Sequence, residues 1–187
     1  MEHIYHEPCF GEDWFTYPKL YKNYANILLN GSIFVEVGTW KGKSISFLAV
    51  ELVNLKKTVS CYAVDTWAGS SEHQEYDIIK ADKLYDLFLS NIDPIKSVIT
   101  PIRKPSIQAA QDFADRSIDI IFIDAAHEYD PVKEDILAWL PKVKLGGIIS
   151  GHDYLCGGVK KAVDEIFGNK VIYRNAMENC WIIEVRE

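Results

Sequence analysis

The sequence lacks the cysteine patterns that mark metal-binding or redox domains. Its 4 cysteines are Cys9, Cys61, Cys156 and Cys180, which lie far apart and include no Cys-x-x-Cys pair. This spacing excludes a zinc ribbon and a thioredoxin-like redox motif. We therefore expect buried, free thiols in a protein of the reducing cytoplasm, with a disulfide pair as the alternative.

Long apolar runs and a targeting segment are also missing. No uninterrupted run of about 18 apolar residues occurs, which is the length that a membrane-spanning helix requires. The first residues contain no basic segment followed by an apolar one, so no signal peptide is predicted. We expect a soluble protein of the cytoplasm with no membrane partner.

Positive charge is in deficit. Lys and Arg number 20 against 27 Asp and Glu, and the formal net charge is −7. Such a surface repels phosphate backbones, so nucleic acid is not an expected partner. Apolar residues make up 48% of the 187 residues, enough to form one core. We predict a single domain over 1–187, with an N-terminal helical or lid segment at 1–30 and a cofactor-binding sheet at 31–187.

Short β-branched runs alternate with segments of helical periodicity, which is typical of a parallel sheet covered by helices. Strands are predicted at 33–37, 59–64, 98–102, 118–123 and 146–150. Two further runs, at 171–173 and 181–185, have no helix between them and should pair as a hairpin. The predicted fold is α/β, a Rossmann-like, doubly wound, seven-stranded and mostly parallel sheet with an antiparallel C-terminal hairpin.

The loop after the first predicted strand, at 36–44, can be compared with known cofactor loops. A dinucleotide-binding loop needs glycine at the position of Trp40, whose ring would obstruct a pyrophosphate. A P-loop needs four residues between its glycines, whereas three separate Gly38 from Gly42, and a shortened loop would misdirect its N–H groups. Because 120–124 resembles the strand and aspartate that hold Mg²⁺ in P-loop enzymes, a nucleotide-binding enzyme stays open as an alternative.

Acidic residues at two strand ends favour S-adenosylmethionine (SAM), which has a cationic sulfonium and a ribose diol. Glu36 lies at the end of the first strand, where it could face the cationic centre. Asp65 ends the second strand, the usual position of an acid that accepts both ribose hydroxyls. Asp65 could instead cap a helix, since Thr66 and Ser70 are near. We predict that Trp67 lies against the adenine and that 106–108 reaches its edge.

Four segments, at 35–44, 62–67, 118–129 and 146–154, together resemble class I SAM-dependent methyltransferases. More narrowly, they are similar to macrocin O-methyltransferases and cephalosporin hydroxylase-like proteins, because Trp40 replaces a glycine of the common first motif. The resemblance implies a SAM-binding enzyme. Together with the strand-end positions, it gives these candidate cofactor-binding residues: Glu36, Gly38, Thr39, Trp40, Gly42, Ser44, Asp65, Thr66, Trp67, Ser106, Ile107, Asp124 and Ala125.

Polar residues follow the fourth and fifth predicted strands, at Asp124, His127, His152 and Asp153. Two carboxylates and an imidazole suit a divalent cation such as Mg²⁺ or Mn²⁺. By resemblance to metal-dependent O-methyltransferases, Asp124, His152 and Asp153 fall on metal-ligand positions and His127 on the position of the general base. An acidic residue is commoner than histidine at the position of His152. Two alternatives therefore stay open: an enzyme that works without a metal, or a purely structural role in which these four residues only cap loops and hydrogen-bond to backbone.

The predicted function is metal-assisted O-methylation of a hydroxyl on a small molecule or sugar. A methyltransferase-fold interaction module without catalysis is the alternative from another class. The N-terminal stretch carries the aromatic residues Trp14, Phe15, Tyr17, Tyr21 and Tyr24. We expect it to form an amphipathic helix on the core; an aromatic lid, or contact with a second subunit of a homo-oligomer, is the alternative.

Overall fold

The strands lie close to their predicted positions. The computed structural model describes residues 1–11, 14–70, 73–174 and 178–186. The strands within these ranges are β1 (Ile33–Val37), β2 (Ser60–Asp65), β3 (Ile99–Arg103), β4 (Ile118–Ile123), β5 (Val143–Gly151), β6 (Ile172–Arg174) and β7 (Cys180–Glu184). These seven described strands form one sheet in the order β3-β2-β1-β4-β5-β7-β6.

Strand pairing confirms the α/β class and the mostly parallel sheet. β1 pairs in parallel with both β2 and β4, so that Val37 lies opposite Val64 and Ile123. β2 with β3 and β4 with β5 are parallel too, whereas β7 runs antiparallel to β5 and β6. The predicted antiparallel C-terminal pair is thus confirmed. Because the strand order reverses at β1, the crevice beside its carboxyl end is the expected ligand site.

Helices cover both faces of the sheet. They are α1 (Pro18–Ile27), α2 (Lys43–Asn54), α3 (Asp77–Lys80), α4 (Leu84–Ile92), α5 (Ser106–Ala110), α6 (Tyr129–Trp139) and α7 (Gly157–Phe167). Side chains of a strand alternate between faces, and Phe34 belongs to one buried cluster while Val35 belongs to the other. Residues of α1, α2 and α4 pack in the cluster of Phe34, and residues of α5, α6 and α7 pack in that of Val35.

The N-terminal helix α1 is amphipathic and packs on the core, as the sequence predicts, but Trp14, Phe15 and Tyr17 precede this helix instead of forming part of it. Pro18 occupies its first turn, where a missing N–H costs nothing. Tyr21 and Tyr24 are buried on its inner face together with Leu20. At its carboxyl end, Lys57 Nζ donates to the carbonyl oxygens of residues 25, 26 and 28 at 2.6–2.8 Å. The lysine thereby satisfies carbonyls that the helix leaves without partners.

Two expectations drawn from missing sequence features can be compared with the structure. All four cysteines are free, and Cys61 and Cys180 are buried. Cys9 and Cys156 are exposed, so the expected burial is wrong for these two. Among the described residues, none of the helices combines the length and the apolar character needed to cross a membrane.

Candidate active site

A cavity of about 790 Å³ opens where β1, β2, β4 and β5 end. Carboxyl ends of parallel strands meet at one edge of a sheet, which is why residues distant in sequence converge here. The predicted site residues that line this cavity are Gly38, Thr39, Trp40, Ser44, Asp65, Thr66, Ser106, Asp124, Ala125, His127, His152 and Asp153. The structure therefore brings the candidate cofactor loop and the candidate metal ligands into one space.

Four predicted site residues lie outside the cavity wall: Glu36, Gly42, Trp67 and Ile107. Trp67 is only 1% exposed, and its ring lies 4.6 Å from Phe88 and 4.7 Å from Tyr85. Its Nε1 donates to the Trp40 carbonyl oxygen at 2.9 Å. The expected contact of Trp67 with an adenine is therefore wrong, because burial in the core holds the indole beneath the loop. The Ile107 side chain is exposed to solvent away from the cavity, so its expected contact with the cofactor is also not supported.

Gly38 allows the β1 loop to approach the end of β4. Its φ of +85° is in the left-handed region, which glycine adopts without strain. A Cβ at this position would lie 2.0 Å from the carbonyl oxygen of Asp124, closer than any real contact. Gly42 also has φ +85°, and it precedes α2 where a Cβ would meet Phe88. The first glycine thus shapes the cavity, and the second supports helix packing.

Asp65 organises the backbone of the cofactor loop. Its Oδ2 accepts from Trp40 N at 2.9 Å, and its Oδ1 accepts from Trp67 N at 2.8 Å. Burial raises the pKa of Asp65, and these backbone hydrogen bonds oppose the shift. Trp40 lies in the loop after β1 and Trp67 in the loop after β2, so the Asp65 carboxylate joins these two loops and does not cap a helix. Its contact with a ribose stays a prediction.

Glu36 lies below the cavity, where it is fully buried. Its Oε2 accepts from Tyr21 Oη at 2.6 Å, and its Oε1 accepts from Ser44 Oγ at 2.7 Å. Burial raises the pKa of Glu36 to about 8, although both hydrogen bonds oppose the shift. In this arrangement the carboxyl ties α1 and α2 to β1. Its expected direct contact with a cationic cofactor stays a prediction.

The residues after β4 and β5 form a compact group of metal-ligating side chains. One donor atom from each of Asp124, His152 and Asp153 lies within 4.8 Å of the others. His152 Nδ1 lies 3.2 Å from Asp153 Oδ2 and 3.6 Å from Asp124 Oδ1. His127 Nε2 lies 2.9 Å from the same Asp153 oxygen. The mixed oxygen and nitrogen donors, within reach of one centre, fit a divalent cation.

The electrostatics of this group favour positive charge between the carboxylates. Burial opposes protonation of His152, but the hydrogen bonds to Asp124 and Asp153 outweigh it and raise the pKa of His152 to about 10. Burial likewise opposes ionisation of Asp153, yet hydrogen bonds from His127 and His152 lower its pKa. A divalent cation would displace the proton from His152, since a metal ligand must be deprotonated.

Thr16 and Tyr17 of the N-terminal segment reach this group, which the sequence did not indicate. Tyr17 Oη donates to Asp124 Oδ2 at 2.7 Å, and Thr16 Oγ1 lies 3.2 Å from His152 Nε2. Trp14, His73 and Tyr76 also line the cavity. The only sequence signal for Tyr17 was its place in the aromatic N-terminal stretch, just before α1, which predicts burial and not a partner.

Residues 35–154 match the family described as a methyltransferase domain, and this range is more than half of the chain. The chain belongs to the methyltransferase-domain family. The resemblance drawn from four sequence segments is therefore confirmed. The P-loop alternative loses its support, because the loop on which it was based lies inside the matched range.

Two curated relatives share parts of this methyltransferase domain. The uncharacterized protein y4gI of Sinorhizobium fredii is 28% identical over 119 residues, which are 64% of this chain and 13% of that protein. The uncharacterized protein R132 of Acanthamoeba polyphaga mimivirus is 29% identical over 156 residues, which are 79% of this chain and 63% of that protein. The chain thus spans less than two thirds of the length of these relatives.

Solved structures share the fold at low sequence identity. The O-methyltransferase NovP superposes with a TM-score of 0.67 at 12% identity, covering 92% of this chain and 80% of its own. CalS11, a TDP-rhamnose 3'-O-methyltransferase, gives 0.63 at 12% identity, with coverage of 91% and 77%. A Streptococcus mutans protein in complex with SAH gives 0.56 at 15% identity, with coverage of 88% and 93%. At these identities the likeness shows the methyltransferase fold and nothing more specific.

Proposed function

We propose that the chain is a SAM-dependent O-methyltransferase that methylates a hydroxyl of a small molecule with the help of a divalent cation. The observation that carries this proposal is that one cavity contains the β1 loop, Asp65 and the group formed by Asp124, His127, His152 and Asp153. Cofactor, cation and base would thus be adjacent, which would hold the acceptor hydroxyl next to the groups that act on it.

The cofactor would follow the edge of the sheet across β1 and β2. Gly38 lines the cavity and, without a Cβ, lets the β1 loop lie against the end of β4, and Asp65 would accept the ribose hydroxyls. Thr66, Ser106 and Ala125 line the cavity where the adenine would lie. The complex of a Streptococcus mutans protein of the same fold with SAH supports SAM as the cofactor of this chain.

Asp124, His152 and Asp153 would hold the cation. A bound divalent ion lowers the pKa of a coordinated hydroxyl and orients it, which is the chemistry that methyl transfer needs from the acceptor. The net charge of −7 includes these carboxylates and argues against a nucleic-acid acceptor. The free thiols are consistent with our proposal of a cytoplasmic location.

His127 would take the proton of the acceptor hydroxyl. The 2.9 Å contact of its Nε2 with Asp153 orients the neutral imidazole, so that the proton is accepted at Nδ1. The Asp153 carboxylate then stabilises the imidazolium. A bound SAM would supply the methyl group: as the acceptor oxygen attacks the methyl carbon, an O–C bond would form and the C–S bond would break, giving a methyl ether with SAH as the leaving group.

A turnover assay tests the proposal. The protein is incubated with SAM, Mg²⁺ and pools of hydroxylated small molecules, and SAH and methylated products are measured by mass spectrometry. We expect acceptor-dependent SAH formation that EDTA reduces at least tenfold. SAM binding without methylation of any pool would favour the interaction module instead. Turnover insensitive to EDTA would remove the cation from the proposal and keep the methyltransferase.

A further inference from the structure

Four aromatic side chains form one wall of the cavity: Trp14, Trp40, His73 and Tyr76. We call this wall the aromatic panel. The Trp40 ring lies 4.5 Å from that of His73, and Trp14 lies 5.9 Å from Trp40 and 5.7 Å from His73. Tyr76 lies 5.5 Å from His73 at an interplanar angle of 45°. The inclined rings make a concave aromatic surface, and the mechanism above uses none of them.

The panel exposes aromatic surface that a ligand would cover. Trp14 is 46% exposed and Tyr76 is 39% exposed, although both line a cavity. The other described tryptophans away from this wall, Trp67, Trp139 and Trp181, are at most 1% exposed. Burying an aromatic ring is strongly favourable, so exposed rings that converge in a concave site indicate a binding surface.

The panel begins at the cofactor loop and continues away from Asp65, the proposed ribose contact. Trp14 is two residues from Thr16, whose hydroxyl lies 3.2 Å from His152 in the metal-ligating group. At the other end, the Trp40 backbone N–H donates to Asp65, while its ring packs against His73. The panel therefore extends from the cofactor loop to the metal-ligating group. A ligand on it would lie beside both, which is the place of the acceptor.

Several described carboxylates, amides and hydroxyls of the cavity are already engaged, whereas Thr39 Oγ1 and Trp40 Nε1 are buried without a hydrogen-bond partner. Asp65 is held by backbone N–H groups, and Asp124 and Asp153 belong to the metal-ligating group. Asn179 donates to Asp153 and accepts from Leu155 N. On the panel, Ser70 Oγ is bonded to His73 Nδ1 at 2.8 Å. The panel thus presents mainly the faces and edges of its rings to the cavity. Among the described residues, no set of carboxylates and amides surrounds the panel that could hydrogen-bond to several hydroxyls of a sugar.

We propose that the aromatic panel is the acceptor subsite and that it binds a planar aromatic ring carrying the hydroxyl to be methylated. This inference rests on the proposed methyltransferase function and narrows its acceptor from any hydroxylated small molecule to aromatic alcohols. Offset stacking and edge-to-face contacts with the panel select a flat ring over a saturated one.

Binding measurements with three neutral probes test the inference. 2-Naphthol supplies a flat hydroxylated ring system, decahydro-2-naphthol has the same skeleton in saturated form, and methyl glucoside represents a sugar. Each is titrated calorimetrically into the full chain saturated with SAH and Mg²⁺. The variants are Trp14→Ala and Tyr76→Ala, whose side chains are exposed, so folding should be preserved. Leu29→Ala, 71% exposed and outside the cavity, is the control.

We expect 2-naphthol to bind at least tenfold more tightly than either saturated probe. Each panel variant should weaken 2-naphthol binding about tenfold and leave SAH affinity unchanged, while Leu29→Ala changes neither. Equal binding of the flat and saturated probes, preference for methyl glucoside, or 2-naphthol binding unchanged in both panel variants would overturn the inference. Loss of SAH affinity in the panel variants would assign the panel to the cofactor. Failure of the wild-type chain to bind SAH would instead overturn the proposed function itself.

Discussion

Tyr17 Oη donates a 2.7 Å hydrogen bond to Asp124 Oδ2, which joins the residue before α1 to the end of β4. The Tyr17 side chain is 2% exposed, and its ring lies 4.8 Å from that of His152. The N-terminal segment therefore contacts two candidate metal ligands. Removing a residue that hydrogen-bonds to a metal ligand commonly lowers metal affinity by about 10–100-fold. We expect an effect of about that order for Tyr17.

Tyr17→Phe should weaken Mn²⁺ binding about tenfold, because Asp124 loses the donor that fixes its orientation. Electron paramagnetic resonance titration of Mn²⁺ measures this change. Tyr24→Phe is the matched control, since it removes a 2.8 Å hydrogen bond from a nearby tyrosine of α1 to Ser150, which is not a member of the metal-ligating group. Both variants should lose about 1 kcal/mol of unfolding free energy. Equal Mn²⁺ affinity in the two variants would show that Tyr17 does not position Asp124.

His127→Gln should reduce turnover at least about a hundredfold while SAM affinity stays unchanged, because it removes the proposed proton acceptor. His3→Gln provides a histidine control, since His3 is bonded to Glu51 outside the cavity. Single-turnover rates at saturating SAM and an isothermal titration separate chemistry from binding. Retention of the wild-type rate by His127→Gln would remove the base role from this residue.

Gly38→Ala should be severely destabilising, because a Cβ would lie 2.0 Å from the Asp124 carbonyl oxygen. Gly31→Ala is a matched control: Gly31 has φ +83°, similar to the +85° of Gly38, but nothing lies within 4 Å of its Cβ position. We expect Gly38→Ala to cost at least about 2 kcal/mol more than Gly31→Ala in urea unfolding. Similar losses in both variants would mean that backbone strain alone, and not close approach, requires glycine at 38.

Glu36→Gln should change how stability depends on pH. Burial raises the pKa of Glu36 from 4.5 to about 8, so the folded state retains a proton that the unfolded chain releases between these values. As pH rises through this window, Glu36 should lower the unfolding free energy of the wild-type protein by at most about 1.4 kcal/mol per pH unit. Above the window, the contribution of this group should stay constant. Urea unfolding at pH 5 to 9 should give a flatter profile for Glu36→Gln. Parallel profiles for both proteins would contradict the shifted pKa.

The strand ends could be predicted from the sequence, and with them most of the site. Parallel strands bring their carboxyl ends together, so Asp65, Asp124 and Asp153 had to converge once the strands were identified. The spacing of the strands along the chain carried this information. The clustering of the metal-ligating residues could therefore be predicted from the sequence alone.

Side-chain direction and long-range partners could not be predicted. Trp67 follows Asp65 by two residues, but its left-handed φ of +52° and the burial of its ring place it in the core, away from the cavity. Glu36 occupies the expected strand end, yet Tyr21 and Ser44 enclose it. Thr16 approaches His152 across 136 positions of sequence, a contact for which no local pattern exists. Tertiary packing decides each of these placements.

Isothermal titration of the full chain with SAM tests the central claim most directly, with Asp65→Asn as the paired variant. We expect saturable, 1:1 binding to the wild-type chain and at least tenfold weaker binding to Asp65→Asn, because the amide cannot accept both ribose hydroxyls. Asp65 also accepts hydrogen bonds from two loop N–H groups, and the variant weakens these bonds. The titration is therefore run well below the melting temperature of the variant, so that the variant stays folded. Absence of SAM binding by the wild-type chain at millimolar ligand would contradict the proposed methyltransferase.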